Sequence, residues 1–266
     1  MTEICDKLGP IYLKKPTMED WIKNESGFNA KWNYPNACGA MDGKHVRIRA
    51  PAFSGSNNYN YKNFYSIVLL AIVGPDYQFT AVDIGSSGSQ SDGGVFARSP
   101  LGASFESGTL GLPPPKAVGE KLLPHVILSD DAFSLKPNLM KPYPGKFLPA
   151  NQRIFNYRMS RARMTVENSF GILSARWRIF HVPIQADIEL VKLIVRAAVI
   201  LHNFLISKNE MMEIAADGPH NENQAFQDLS QQEISGGILS GSQVRDEFCN
   251  FFNGEGSVSW QNMSII

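Results

Sequence analysis

Long apolar runs are missing from this sequence, and so is any cysteine pattern. No stretch of about 18 consecutive apolar residues occurs, so the sequence predicts no transmembrane helix. The opening residues, MTEICDKLGPIYLKK, lack an apolar segment of the secretory kind, and no signal peptide is expected. Cys5, Cys38 and Cys249 are odd in number and widely spaced, which excludes a disulfide framework and a zinc pattern. An intracellular, reducing compartment fits that usage. Net charge is absent too, with 25 basic residues against 25 acidic ones, and the overall balance by itself excludes no class of partner.

What the chain does have is enough apolar material, 43% of 266 residues, for one sizeable core or one domain with a tail. Its charge is unevenly placed. Residues 141–178 hold eight Lys or Arg and one acid, Glu167, whereas residues 209–266 hold nine acids and one base, Arg245. A basic middle before an acidic end suits a body that binds a polyanion, followed by a separate solvated segment.

Taken in order, residues 1–36 read as a lead-in. Thr17-Met18-Glu19-Asp20 resembles a capping box, which predicts a short helix over about 18–29. In AMDGKHVRIRAP, Val46 and Ile48 alternate with His45, Arg47 and Arg49 at the period of a half-buried strand, with Asp42-Gly43 a turn or a bulge. SGSNNYNYKN is a polar loop. YSIVLLAIVG then reads as a buried strand, and FTAVDIG as a third strand antiparallel to it. SSGSQSDGGVFARSPL leads to a short helix, LGLPPPKAVGE is irregular, and HVILSDDAF is a short strand ending at Asp130-Asp131. Residues 158–178 form an amphipathic helix with Val166, Phe170, Leu173 and Trp177 on the core face and Glu167 at its edge. A core helix follows over about 187–206, where His202 and Asn203 are expected to be structural. Beyond it an acidic, largely disordered tail runs to 266, with one short helix near 243–252. The expected domain is thus 37–206.

This is an α/β (α+β) arrangement. A strand meander, a helix, a further strand and a carboxylate-bearing helix follow in the order of an RNase H-like fold, with a mixed central sheet flanked by helices. Asp42, Asp130 and Glu167 stand at positions that such a sheet brings together. Carboxylate oxygens suit hard cations, and two Mg²⁺ or Mn²⁺ ions about 4 Å apart can drive in-line displacement at a phosphodiester. Without a cation, such acids repel one another. Arg158, Arg161, Arg163, Arg176 and Arg178 flank Glu167 and are candidates for holding a DNA backbone, since guanidinium pairs with phosphate in bidentate fashion. Side chains alternate along a strand, so only one of Asp130 and Asp131 should face the site.

GAMDGKHVRIRAP, NYKNFYSIVLLAIVG, VDIGSSGSQSDGGVF, ILSDDAF, FNYRMSRARMTVENSFGILSARWRIF and LHNFL, in this order, resemble PIF/Harbinger transposases and Harbinger transposase-derived nucleases over about residues 30–206. The resemblance implies a DDE endonuclease of transposase origin whose catalytic, metal-holding acids are Asp42 in DGKH, Asp130 in SDDAF and Glu167 in VENSFG. The separation of 37 residues from Asp130 to Glu167 is near that usual in such transposases. The family also has an aspartate in the segment matched by SDGGVF, which makes Asp92 a further metal ligand or, equally, the cap of the following helix. Asp83 in the third strand ranks below it. Full-length relatives carry a helix-turn-helix region before the nuclease domain, and little room for one precedes Asp42. The resemblance therefore implies a truncated product, or DNA recognition through a Myb-like protein partner. It also implies DNA as substrate and the nucleus, with the cytoplasm as the alternative. A non-cutting domesticated DNA-binding or scaffold protein is the competing reading.

Overall fold

The computed structural model describes residues 1–51, 54–208 and 239–261. The expected linker over most of 207–241 lies outside the described residues.

A five-stranded mixed sheet forms the centre. Strands β1 (Ala37–Arg47), β2 (Ser66–Val73) and β3 (Phe79–Ser87) make the antiparallel meander read from the sequence. After helices α3 (Asp92–Arg98) and α4 (Pro100–Glu106) and a small hairpin of β4 (Lys116–Val118) with β5 (Lys121–Leu123), the chain returns to the other side of β1. There β6 (Val126–Leu128) and β7 (Leu139–Met140) add in parallel, giving the order β3-β2-β1-β6-β7. This is the expected RNase H-like arrangement. All eight residues of β2 are buried, as its unbroken apolar run requires of a strand covered on both faces.

Helix α5 (Ala150–Arg176) crosses one face of the sheet. Phe155, Met159, Ala162, Val166, Phe170 and Leu173 recur at helical spacing and pack with Ala40, Val46 and Leu128 in one core cluster. Helix α6 (Ile188–Ser207), capped by Asp187 through its bond to the Leu190 N–H, adds Val191, Val195 and Val199 to the same core. By length and composition α6 could cross a membrane, but here its apolar stripe faces protein. His202 Nε2 meets the Tyr77 carbonyl at 2.8 Å, and Asn203 bridges both backbone groups of Phe79, so these residues lock α6 to β3. On the opposite face, α3 and α4 set Val95, Phe96 and Leu101 against Met41, Leu70 and Ile127.

Three features differ from the sequence reading. Helix α1 (Thr2–Tyr12) stands where a lead-in was expected and packs on α6, its Tyr12 ring 5.3 Å from Phe204. Helix α2 (Met18–Trp32) has the expected Thr17–Asp20 capping box and gives Trp21 to one core and Phe28 to the other, so this segment belongs to the fold. The boundary expected at 206 does not hold for residues 239–261: helix α7 (Gly241–Asn253) lies along α5 and buries Phe248 and Phe252 in the main core. The apolar face of α7 supplies the reason, since solvating those rings would forfeit about 3 kcal/mol or more.

Candidate active site

Strand pairing places the first two acids. Ala40 of β1 pairs with Leu128 of the parallel strand β6. Asp42 and Asp130 each stand two residues further along, so the period of two turns both toward the face that α5 covers. Asp42-Gly43 makes neither a turn nor a bulge; it runs in register opposite Ala71 and Leu70 of β2. Asp131 is exposed, its carbonyl accepting a bond from Lys141 Nζ, which leaves Asp130 as the inward acid.

A third acid arrives from the other layer. The cap of α3 is Ser91, whose hydroxyl accepts from the Gly94 N–H, so capping does not account for Asp92 at the first helical position. Asp92 Oδ1 is buried, and among the described residues it has no hydrogen-bond partner. Two glycines permit its approach. A methyl group on Gly43 would lie 2.3 Å from Asp92 Oδ1, and one on Gly93 would lie 2.3 Å from the Ala132 carbonyl oxygen. SDGGVF is therefore a close-packing motif that seats Asp92 against β1 and the loop after β6.

The charges of these groups act on one another. Burial pushes the Asp42 carboxyl up to about 7; the Asp130 charge adds to this, Arg163 opposes it, and Asp92 contributes less. Burial, then the Asp130 charge, pushes Asp92 up to about 6 against the pull of Lys62. Asp130 is raised chiefly by burial, opposed by Arg163 and by the Ala132 N–H at 3.0 Å, with Asp131 and Glu167 as further repelling charges. One Asp42 oxygen is fixed by the Gly43 N–H at 2.7 Å. Among the described residues, no donor bonds the second carboxylate oxygen of Asp42 or of Asp130.

Glu167 lies one helical turn past Arg163 on α5 and pairs with it at 2.6 Å, its side chain 45% exposed. Arg163 thus sits inside the acid group as its countercharge, not on an outer rim. Among the described residues, no three His, Cys, Asp or Glu side chains are gathered tightly enough to hold a metal ion. The donor set nevertheless fits a hard divalent cation. It is all carboxylate, mutually repelling, and includes a buried oxygen with no other partner.

The remaining arginines divide. Arg158 is buried, and its guanidinium donates to the Asn33 and Gly256 carbonyls and to Gln261 Oε1 while lying 4.5 Å over the Phe252 ring. Its unpaired Nε is buried as well, so none of it reaches DNA, because a segment about 100 residues away covers it. Arg161 stacks 3.9 Å from the Trp260 ring centroid, and Arg176 and Arg178 are exposed near the end of α5. Asp83 belongs elsewhere, near Lys192 of α6 and lining a separate cavity of about 340 Å³ with Leu13 and Arg196. Sequence reasoning passed over Lys62, whose charge acts on Asp92, because the loop carrying it read only as polar.

Residues 41–203 match the DDE superfamily endonuclease family, a span that opens one residue before Asp42 and takes in Asp92, Asp130 and Glu167. The chain belongs to that family. It is also similar to the Arabidopsis thaliana protein called ALP1-like, 31% identical over 257 residues, covering 92% of this chain and 60% of the relative. A second Arabidopsis thaliana protein, Antagonist of Like Heterochromatin Protein 1, is 23% identical over 245 residues, covering 90% of this chain and 62% of that protein. The chain therefore spans about three fifths of the length of these curated relatives. No solved structure matches it. The DDE endonuclease assignment agrees with the resemblance to Harbinger-derived proteins, and endonucleases of this superfamily typically use divalent metals.

Proposed function

We propose that this chain is a divalent-metal-dependent DNA endonuclease of transposase origin, cleaving or transferring phosphodiester bonds. The observation that carries the reading is the buried, unpartnered Asp92 oxygen seated against Gly43 of the strand that bears Asp42, with Asp130 near enough to act on both carboxyls. Proteins seldom keep such a group unless something binds it, because each buried charge costs stability. Asp42, Asp92, Asp130 and Glu167 would hold Mg²⁺ or Mn²⁺. Bound there, the cations would activate a water or a 3′-hydroxyl and stabilise the leaving oxygen.

The chain's own residues do the rest. The Gly43 and Ala132 N–H groups each hold one oxygen of Asp42 and Asp130, fixing the carboxylates while leaving the second oxygen to the site. Near neutral pH the Asp42 carboxyl is part-protonated, so cation binding displaces a proton. Arg163 neutralises part of the acid group and holds Glu167 until the carboxylate is recruited. Arg176 and Arg178, exposed at and just past the end of α5, would take backbone phosphates, and the nucleus and a Myb-like DNA-binding partner complete the reading.

Two observations favour a second reading, a DNA-binding or scaffold protein that no longer cuts. Glu167 is engaged by Arg163, and a relative's name refers to heterochromatin. Purified protein incubated with supercoiled plasmid and Mn²⁺ or Mg²⁺ separates the two. Nicking by wild type that is lost in Asp42→Asn and Glu167→Gln supports the endonuclease. Equal nicking by all three would sink the site assignment, and salt-sensitive binding without nicking would establish the silent form.

A further inference from the structure

The loop between β1 and β2 carries a feature that the acid site does not use. Residues 60–64 form a tight turn built around Asn60, which is 3% exposed. Its Oδ1 accepts from the Lys62 and Phe64 N–H groups at 2.9 and 3.3 Å, and its amide donates to Ser66 Oγ at 2.9 Å. Asn63 adopts left-handed φ of 63°, closing the turn, and the buried Asn58 accepts from the Ser66 N–H through its carbonyl. What this fixed turn shows to solvent is a ring and an amine. Tyr61 is 63% exposed, Lys62 Nζ lies 5.6 Å from its centroid, and the His45 ring supports it edge-on at 5.8 Å. The turn stands beside the strand that bears the first acid, since Tyr61 rests on His45, three residues past Asp42 in β1.

Exposed tyrosines are common on loops and usually mean nothing. Here two buried asparagines immobilise the backbone that displays the ring, which a passive connection does not need. Phosphate alone would call for basic groups; a pre-positioned ring beside a lysine suits a nucleobase and its phosphate together. We infer that Tyr61 is a stacking platform for an unpaired base next to the scissile phosphate, with Lys62 holding that nucleotide's phosphate. The inference rests on the endonuclease reading and narrows it. The substrate strand is single or frayed at the cut, and intact duplex is the weaker ligand.

The test is binding in the absence of divalent metal, using the full chain and a single-stranded DNA oligonucleotide containing 2-aminopurine. Wild type should quench the probe. Tyr61→Phe, which keeps the ring, should match it, whereas Tyr61→Ala should lose the quench and bind roughly 5- to 150-fold more weakly. Affinity of Tyr61→Ala for blunt duplex should change by less than about twofold, and Lys62→Ala should weaken binding while retaining the quench. Circular dichroism matching wild type shows that Tyr61→Ala is folded. Unchanged quenching and affinity in Tyr61→Ala, or no binding of single strands by wild type, overturns the platform. Neither measurement depends on nicking, so the failure of the endonuclease reading would show separately in the plasmid assay.

Discussion

Replacing Asp42 by Asn should stabilise the metal-free protein, and only at high pH. In the fold the Asp42 carboxyl titrates at about 7 against an ordinary value of 3.8. Between those values the unfolded chain has released a proton that the folded chain still holds. Stability is therefore greatest below the ordinary value and is lost as pH rises through about 7. The gap corresponds to at most about 4 kcal/mol, and Asn recovers roughly half of this or more because it keeps the shape without the charge. For a chain of this size that is a rise in melting temperature of roughly 5–15 °C at pH 8, shrinking to near zero at pH 4. Titration is shared with Asp130 and Asp92, so the fall in wild-type stability spreads over about pH 4–7 without a sharp step. Thermal unfolding in chelator, wild type beside Asp42→Asn, gives the comparison directly. Adding Mn²⁺ should reverse the order at pH 8, since a cation at a thousand times its dissociation constant is worth about 4.1 kcal/mol to a site with its ligands intact. Equal displacement of the variant at both pH values, or a less stable variant at pH 8, refutes the account of Asp42 as a stored charge.

Further outcomes follow from the same geometry. Gly43→Ala should cost about 1–3 kcal/mol in urea unfolding, and less in an Asp92→Gly background, because the added methyl meets Asp92 Oδ1 at 2.3 Å. Arg158→Met should destabilise by about 3 kcal/mol or more, since three acceptors lose their donor, while the salt dependence of DNA binding stays unchanged. Arg176→Ala with Arg178→Ala should instead leave stability within about 0.5 kcal/mol and lower the salt slope by about one for each phosphate no longer neutralised, read by fluorescence anisotropy across salt. Phe252→Ala should lower stability by about 3–5 kcal/mol in the same urea titration; a change under about 1 kcal/mol would detach α7 from the core.

Much of this was legible in the residues. Strand β2 is announced by its apolar run and α2 by the Thr17–Asp20 capping box, while alternation requires only that one of Asp130 and Asp131 face inward and the register of the SDDAF motif picks Asp130. What stayed hidden depends on residues far apart in the chain. Arg158 reads as a surface charge because the local helical pattern contains no hint of Gln261 or Gly256, which arrive about 100 residues later. Asp42-Gly43 reads as a turn because Asp-Gly favours one, yet pairing with β2 on one side and the need to admit Asp92 on the other hold it extended. Helix α5 begins eight residues earlier than its amphipathic stripe indicates, because Pro149 precedes it without offering a side-chain cap to mark the start. Helix α1 escaped notice through Pro10 in its interior, an ordinary sign of a helix's end.

The signature of the family and the unit that folds have different ends. The match runs from residue 41 to 203, yet Trp21 and Phe28 lie before it, Phe248 and Phe252 lie after it, and all four are essentially shut off from solvent. A fragment cut to the signature would keep every acid of the site and strip both flanks from the sheet that positions them. Its loss of activity would then say nothing about chemistry. Comparisons among DDE endonucleases that trim each chain to the shared span discard the scaffolding that, here, sets how firmly Arg158 and the rest of α5 hold the acid-bearing face.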